Sequence, residues 1–252
     1  MALQEDLKEQ GDFLFKYRSY FPIILIACGI SIEYFSVLKD LEFGPDSVKR
    51  KNEYFYFLAI LVGLLGFIIR VLSIAYAPNN TSGRNTKAGQ VADFLNTSGL
   101  YSITRNPLYL GNYFMWLSIC MFIGNIWFVL VFTLVFWIYY ERIIYAEECF
   151  LRKKFESQYL EWANATPIFL PLSFRLEKPE GKFNWRKAIR NEKNGIFAMF
   201  FLFWLLHSIP NLVSGNYQEI FSNLFFYLAG GFGILYLIIK VLKRNTRLLH
   251  DQ

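Results

Sequence analysis

Two short polar segments of this 252-residue chain hold residues that could do chemistry. The first runs from Thr97 to Gly111 and reads TSGLYSITRNPLYLG, in which glycine and proline bracket one arginine and two tyrosines. The second is the pair Glu147 and Glu148, which follows a long apolar stretch. If that stretch folds as a helical hairpin, the polar groups at its two ends meet at one face of a membrane. We therefore expect the two segments to form a single site.

The residue types in these segments suit a small charged cofactor. A carboxylate can bind an ammonium group or ribose hydroxyls, and the exposed N–H groups at the start of a helix bind a carboxylate or phosphate. The rings of Tyr101 and Tyr109 can cover an aromatic base or a cationic centre. Together these groups would fit a ligand with an amino group, a carboxylate, a ribose and a sulfonium. The alternative is an interfacial belt of tyrosine and arginine beside ordinary helix-end charges, and composition alone leaves both open.

The elements that must position these residues are apolar helices. Hydrophobic residues make up 54% of the chain, and they are clustered in runs. A helix needs about 20 consecutive apolar residues to cross a membrane. The sequence has six such runs, at 21–38, 55–77, 108–124, 126–146, 195–213 and 220–242. Because a soluble helical protein rarely carries so many, we predict an all-α, polytopic membrane protein with about six transmembrane helices and a cofactor site at its cytoplasmic face.

The positive charge of the chain is unevenly distributed between the predicted loops. Most of the 26 lysines and arginines fall in the N-terminal segment, the loop 78–107, the segment 142–194 and the C-terminal tail. The positive-inside rule therefore predicts that both termini are cytoplasmic, in a bacterial inner membrane or an endoplasmic-reticulum-type membrane. An anionic lipid surface is the expected partner of this basic face. Nucleic acid is not expected, because no basic patch stands apart from the membrane.

A metal site is not expected from the cysteines and histidines. Cys28, Cys120 and Cys149 all fall in or beside predicted helices, and their spacing matches no metal or redox pair. The two histidines, His207 and His250, are too few and too far apart in sequence to complete a zinc site.

We expect one membrane domain over residues 1–252. Its predicted parts are a cytoplasmic N-terminal segment (1–20), the first two helices (21–77), a core with the helical hairpin (78–171), a basic connection (172–194), and a C-terminal helical hairpin and tail (195–252). The N-terminal segment forms either a short amphipathic helix or a frayed tail. Within the core, 78–96 is a polar loop, and 149–164 is predicted to be a separate amphipathic helix.

Two ionisable residues lie inside predicted spans, where a charge is costly unless it pairs or reaches the interface. Glu33 lies near the outer end of the first span, and Arg70 lies deeper in the second. Either Arg70 pairs with a carboxylate on another helix or its side chain extends to the interface, and the sequence leaves both possibilities open.

The linear order of the polar residues resembles one family of membrane enzymes, the isoprenylcysteine carboxyl methyltransferases and phospholipid methyltransferases. That family reads Gly-x-Tyr, then Arg-His-Pro-x-Tyr-x-Gly, then Glu-Glu-x-x-Leu. The matching residues here are Gly99, Tyr101, Arg105, Asn106, Pro107, Tyr109, Gly111, Glu147, Glu148 and Leu151. Several spacings agree at once, over residues 70–171.

The resemblance implies that S-adenosylmethionine binds at the cytoplasmic face and that a membrane lipid or lipidated substrate enters from the bilayer. Arg142 lies one turn before the glutamate pair, near the position of a substrate-facing arginine in the family. The residues implied to bind the cofactor are Asp93, Leu95, Asn96, Tyr101, Asn106, Pro107, Leu108, Tyr109, Glu147 and Glu148, of which the segment 93–96 matches more loosely.

One departure from the family bears on the methyl acceptor, because Asn106 stands where the family has histidine. An ionised phosphate or carboxylate needs no general base, whereas an amine must first lose a proton. The asparagine therefore favours methyl transfer to an anionic group, as in bacterial relatives that methylate a lipid phosphate. Arg105 and Arg142 are the candidate catalytic residues, since arginine binds phosphate through charge-assisted, bidentate contacts.

Two other functions compete with methyl transfer. Membrane sterol reductases and steroid dehydrogenases bind NADPH and carry a related motif, Arg-His-Pro-Asn-Tyr-x-Gly-Glu. This chain has Leu108 and Asn112 at the asparagine and glutamate positions of that motif, and it has the glutamate pair, so the methyltransferase is favoured. A non-enzymatic small transporter or scaffold is the second alternative. Transporters usually place ionisable residues near mid-membrane and often contain repeated halves, whereas the candidate site residues here lie at one interface and no repeat is visible.

Overall fold

Apolar helices form most of the structure. The computed structural model describes residues 2–43, 53–78, 84–86, 89–171 and 176–246. The helices in these ranges are α1 (Leu3–Tyr17), α2 (Phe21–Leu41), α3 (Glu53–Tyr76), α4 (Pro107–Ile123), α5 (Ile126–Ala165), α6 (Trp185–Val213), α7 (Tyr217–Phe221) and α8 (Leu224–Asn245). A short antiparallel hairpin of β1 (Arg84–Thr86) and β2 (Gly89–Val91) lies in the loop before α4.

Five helical segments of the described chain are long and apolar enough to cross a membrane, and α4, at 17 residues, is a shorter apolar helix. The predicted all-α, polytopic membrane architecture is confirmed. Several stretches lie outside the described residues: 44–52 between the first two predicted spans, 79–83 and 87–88 of the polar loop, 172–175 of the basic connection, and the tail from 247, including His250.

The α4–α5 hairpin forms as the sequence predicts. Gly124 ends α4 in the left-handed conformation, with φ of 73°, which glycine adopts without steric cost. Asn125 then caps α5, because its side-chain oxygen accepts a hydrogen bond from the N–H of Phe128 at 3.1 Å. This tight turn sends α5 back alongside α4. The end of α5 thereby returns toward the polar segment that precedes α4.

Two helices are longer than the hydropathy pattern predicts. Helix α5 has 40 residues and continues through the stretch predicted as a separate helix, because residues 146–165 contain no glycine or proline. A kink at Glu156, where φ is 45°, divides α5 into two helical parts. Helix α6 begins at Trp185, inside the predicted basic connection, where the side chain of Asn184 caps it by accepting from the N–H of Lys187.

Glycines bring α3 and α4 into backbone contact. A Cβ atom built on Gly66 would lie 2.6 Å from the carbonyl oxygen of Gly111, and one built on Gly111 would lie 2.8 Å from that of Gly66. Only residues without side chains permit this approach, as is typical of helix pairs in membranes. Toward the other end of α4 the core is aromatic, and Phe122 stacks on Phe203 with ring centroids 4.7 Å apart.

The N-terminal segment forms a helix that packs on α5. The described chain begins with α1, whose Gly11 lies against the carbonyl group of Arg142 and the side chain of Ala146. The Tyr139 hydroxyl donates to the carbonyl oxygen of Leu14 at 3.1 Å. Of the two alternatives for residues 1–20, the structure therefore has the helix. Part of its apolar face packs against α5.

Candidate cofactor site

Tyr109 and Glu147 meet where the first turn of α4 approaches α5. The Tyr109 hydroxyl donates to Oε2 of Glu147 at 2.9 Å. The other carboxylate oxygen, Oε1, is buried and has no hydrogen-bond partner among the described residues. A buried acceptor without a donor is energetically costly in a protein interior. Glu147 therefore presents an acceptor that a bound ligand could satisfy.

Arg105 and Glu148 form a second contact between the same elements. Nη1 of Arg105 lies 3.3 Å from Oε1 of Glu148, and the two side chains are only 12% and 26% exposed. The hydroxyl of Tyr159, eleven residues after Glu148 on α5, lies beside both side chains. The positive charge of Arg105 is thus opposed by a carboxylate. This ion pair ties the loop before α4 to α5.

The loop before α4 is also hydrogen-bonded to the segment that follows α5. The N–H of Arg105 donates to the carbonyl oxygen of Pro167 at 2.8 Å, and the Thr104 hydroxyl donates to that of Phe169 at 2.8 Å. Between them, Nδ2 of Asn106 donates to the carbonyl oxygen of Ile168 at 2.9 Å. The three bonds fix the backbone from which α4 starts.

The N-terminus of α4 is left without a side-chain cap. Asn106 occupies the N-cap position, but its side chain makes no capping bond, because its amide group is directed to Ile168. Pro107 follows at the first helical position, where its missing N–H costs nothing. The first-turn N–H groups of α4 carry the positive end of the helix dipole. They are suited to a carboxylate or phosphate of a ligand.

Tyr101 lies buried in a short turn ahead of α4. Gly99 opens this turn with φ of 61°, and the carbonyl oxygen of Tyr101 accepts from Nε1 of Trp162 on α5 at 3.0 Å. Burial, with a smaller contribution from the charge of Glu147, raises the pKa of Tyr101 well above its usual value. The hydroxyl therefore stays protonated at neutral pH and offers a hydrogen-bond donor beside an aromatic face.

The segment 93–96 lies over the distal part of α5. Leu95 packs against a small apolar cluster that includes Leu151 and Tyr159. Asn96 is buried, whereas Asp93 is exposed at the surface. Leu95 and Asn96 therefore pack inward against this part of the protein, and Asp93 lies at the surface. Their part in cofactor binding stays a prediction.

Arg142 lies on a different face of α5 from Glu147. Five residues along a helix correspond to a rotation of about 140°. Nε of Arg142 donates to Oε1 of Gln10 on α1 at 2.8 Å, and Nη1 donates to the carbonyl oxygen of Ile138 at 2.9 Å. The structure therefore does not bring together Arg105 and Arg142, the two candidate catalytic residues.

An open groove of about 570 Å³ runs between α1 and α5 at this point. It has charged residues at one end and apolar residues along its walls. Its lining residues are Asp6, Glu9, Gln10, Phe13, Leu14, Val135, Ile138, Tyr139 and Arg142. A groove of this kind is suited to an amphiphilic molecule.

Sequence analysis missed Tyr140, which packs against Tyr109 with ring centroids 4.8 Å apart. The available signal was its position seven residues before Glu147, which places both residues on one face of α5.

Sequence analysis also missed the partner of Arg70, whose guanidinium makes two hydrogen bonds to Glu192 on α6. Of the two possibilities for Arg70, the structure therefore has the cross-helix pair. Glu192 gave no signal, because it lies in the predicted connection 172–194.

Among the described residues, no group of three or more His, Cys, Asp or Glu side chains lies close enough to hold a metal ion.

Comparisons with known proteins support one family. The family model described as phospholipid methyltransferase matches residues 54–158, which contain α3, α4 and the glutamate pair of α5. The chain is 35% identical over 77 residues to protein-S-isoprenylcysteine O-methyltransferase of Schizosaccharomyces pombe, covering 30% of this chain and 32% of that protein. It is 28% identical over 146 residues to the cobalt-zinc-cadmium resistance protein CzcN of Cupriavidus metallidurans, covering 58% of this chain and 63% of the relative. The matches thus span less than two thirds of either relative. No solved structure matches the chain.

Proposed function

We propose that this chain uses S-adenosylmethionine to methylate an anionic group of a membrane lipid or lipidated substrate. The match of residues 54–158 to the phospholipid methyltransferase model and the similarity to an isoprenylcysteine O-methyltransferase support this proposal. The proposed acceptor is a phosphate or a carboxylate. The proposed location is the cytoplasmic face of the membrane, with both chain termini on that side.

The observation that carries the proposal is the pairing of a buried, unsatisfied acceptor with an uncapped helix N-terminus. Oε1 of Glu147 lacks a donor among the described residues, and the first turn of α4 lacks a side-chain cap. S-adenosylmethionine supplies the opposite groups, since it has an ammonium, ribose hydroxyls and a carboxylate. Its adenine and sulfonium would lie among Tyr101, Tyr109 and Tyr140, whose rings suit a base or a cation.

The residues of the site would act chiefly by alignment. When bound, the cofactor would supply an electrophilic methyl group on a sulfonium. An acceptor oxygen would form a bond to the methyl carbon in line with the breaking carbon–sulfur bond, whose electron pair would go to sulfur. Glu147 and the first turn of α4 would fix the ends of the ligand, and the bonds from Thr104, Arg105 and Asn106 would keep that turn in place. Orientation of this kind and the exclusion of water are the main contributions a protein makes to such a displacement.

The environment of Asn106 supports an acceptor that is already ionised. Its amide donates to the carbonyl oxygen of Ile168, and an amide cannot remove a proton from an amine. Arg105 is opposed by Glu148 at 3.3 Å, and Arg142 has a longer contact of 3.9 Å with the exposed Glu141. Arg142 is the candidate for the anionic headgroup because its side chain lines an open groove. Its groove has an apolar wall that includes Val135 and Ile138, which suits the chains of a lipid.

Calorimetric titration of the detergent-purified protein with S-adenosylhomocysteine and, separately, with NADPH tests the cofactor. We expect a dissociation constant on the order of micromolar for S-adenosylhomocysteine, and no heat of binding with NADPH. Binding of NADPH alone would instead support a reductase, and binding of neither would contradict an enzyme that uses these cofactors. Transfer of a labelled methyl group into a lipid extract, followed by separation of the products, would then identify the acceptor.

A further inference from the structure

Stacked aromatic rings join α6 to α8. Phe200 stacks on Phe232 with ring centroids 4.4 Å apart, and Phe197 stacks on Tyr236 at 5.3 Å. A Cβ atom at Gly233 would lie 3.2 Å from the Phe197 ring, so the glycine leaves room for that ring. The contacts move toward the start of α6 as they move toward the end of α8. The two helices are therefore antiparallel, and the stacked rings fix which of their residues face each other.

Beyond the last stacked rings, the facing residues of the two helices are basic. Lys193 on α6 and Lys240 on α8 each lie one turn past the ring pair, so the register places them opposite each other. Arg190 and Lys243 occupy the same relation one turn further out. Nζ of Lys193 donates to the carbonyl oxygen of Arg190 at 2.7 Å. Nζ of Lys240 lies 5.7 Å from the centre of the Tyr236 ring. We call Arg190, Lys193, Lys240 and Lys243 the basic cluster.

The two helices supply no carboxylate that could neutralise the basic cluster. Glu192 is the one acidic residue of α6, and α8 has none. Both oxygens of Glu192 accept from Arg70 on α3, so its charge is already paired. Among the residues that the structure describes, no ion pair includes Lys193, Lys240 or Lys243. Like charges that face each other on neighbouring helices repel, and an anion bound between them removes that cost.

The basic cluster lies at the same end of the helical assembly as the candidate cofactor site. Arg70, the partner of Glu192, crosses α4 at Gly111, where a Cβ atom would lie 2.5 Å from Cγ of the arginine. Gly111 is in the second turn of α4, and Lys193 directly follows Glu192. The cluster is thus found where the predicted spans 195–213 and 220–242 end. Exposed apolar residues of α8 flank Lys240 in sequence, namely Leu237, Ile238 and Val241.

We propose that the basic cluster binds the anionic, phosphate-bearing headgroup of one membrane lipid, whose chains lie along the exposed apolar residues of α8. The lysines donate charge-assisted hydrogen bonds to the phosphate, and the headgroup offsets their mutual repulsion. A lipid presents a phosphate and apolar chains together, and the cluster and its apolar flank match both parts. The inference does not depend on methyl transfer, since neither the cofactor nor the acceptor enters it. It also goes beyond a general attraction of basic residues to an anionic surface, because it assigns the lipid to one place between two helices.

Thermal unfolding of the delipidated protein in a non-ionic detergent tests the site, with phosphatidylglycerol as the probe. We expect this lipid, at about ten times its dissociation constant, to raise the unfolding temperature by roughly 3–5 °C. Phosphatidylcholine, which carries no net charge, and inorganic phosphate, which has no chains, should each raise it much less. An equal rise with phosphatidylcholine would overturn the anionic headgroup, and an equal rise with inorganic phosphate would overturn a lipid. No rise with phosphatidylglycerol would overturn the site.

Lys193→Gln,Lys240→Gln tests whether the lipid binds at the basic cluster. We expect this variant to lose most of the rise in unfolding temperature that phosphatidylglycerol causes. The matched control is Lys153→Gln,Lys154→Gln, which removes the same charge from exposed positions of α5 and should keep the rise. Each variant is compared with itself in the presence and absence of lipid, so a change in its own stability does not affect the result. Equal rises in the two double variants would overturn a defined site.

Lys240→Gln alone keeps the test decisive if the double variant does not fold, because Lys240 is exposed. We expect this single variant to lose part of the rise. Native mass spectrometry of the same samples counts the lipid molecules that remain bound. The unsubstituted protein should retain one phosphatidylglycerol more often than Lys240→Gln does. Equal retention by the two proteins would overturn the inference.

Discussion

At the scale of single residues, Glu147 has two oxygens in different situations. Oε2 accepts from Tyr109, and Oε1 is buried without a donor among the described residues. The sequence predicts that the glutamate pair faces the segment before and at the start of α4, and these contacts occur. It could not predict that Glu148 pairs with Arg105 while Glu147 keeps a free acceptor, because that division depends on rotation about the axis of α5.

Glu147→Gln should weaken cofactor binding strongly. The glutamine keeps the shape of the side chain but removes the negative charge that would bind an ammonium or ribose hydroxyl, so we expect a loss of affinity on the order of ten- to a hundredfold. Calorimetry with S-adenosylhomocysteine measures the effect. Glu161→Gln, an exposed position on the same helix, is the control and should bind normally. Normal binding by Glu147→Gln would remove Glu147 from the site.

Tyr109→Phe tests whether Tyr109 and Glu147 act together. The phenylalanine keeps the ring and removes the hydroxyl that donates to Oε2. We expect weaker binding than in the unsubstituted protein, and a smaller further loss in Glu147→Gln,Tyr109→Phe than the two single losses predict. Dissociation constants for the four proteins complete the cycle. Strictly additive losses would mean that the hydrogen bond does not prepare the carboxylate for the ligand.

Asn106→His tests the nature of the acceptor. A histidine keeps a donor for the carbonyl oxygen of Ile168 and adds a group that can remove a proton. Because an ionised acceptor needs no base, we expect the rate of methyl transfer to the native lipid acceptor to stay the same and to gain no new dependence on pH. A rate that rises through pH 6–7 in the variant would contradict an anionic acceptor.

At the scale of helices, α1 and α5 form the groove that holds Arg142. Their close contact depends on Gly11, where a Cβ atom would collide with the backbone of Arg142 and lie 2.7 Å from Cβ of Ala146. Gly11→Leu should therefore separate the two helices. We expect a higher apparent KM for the lipid acceptor and an unchanged affinity for S-adenosylhomocysteine.

The matched control for Gly11→Leu is Gly230→Leu on α8, where a Cβ atom meets nothing within 4 Å. Steady-state kinetics with the lipid as the varied substrate compares the two. If both variants keep a normal KM, the groove does not take part in acceptor binding and Arg142 contributes only to membrane topology.

Hydropathy and turn residues predicted most of the helices but not how far they extend. A hydropathy run ends where the chain becomes polar, whereas a helix ends where its backbone meets a breaker or a cap. Helix α5 therefore continues past Ala146, and α6 starts ten residues before its apolar part, at a cap supplied by Asn184. This early start brings Glu192 into the structure beside Arg70, a contact that no local pattern of residues encodes.

At the scale of the whole molecule, the candidate site and most of the positive charge occupy one end of the helical assembly. This arrangement underlies the proposed orientation, with the polar extension of α5 in the cytoplasm and the start of α3 at the opposite face. In a cysteine-free background, Lys153→Cys should react with a membrane-impermeant maleimide only after cells are permeabilised, and Tyr54→Cys should react in intact cells. Both positions are exposed. The reverse pattern would invert the proposed topology.

The crossing of Arg70 over Gly111 affects how genetic data on this protein should be interpreted. Even alanine at position 111 would press on the backbone of α3 at Gly66 and on the side chain of Arg70. A saturation screen would therefore find position 111 as intolerant as a residue that touches the ligand. Suppressor mutations would distinguish the two cases, since a shorter side chain at position 70 can relieve part of the collision, whereas no change on α3 restores a lost ligand contact.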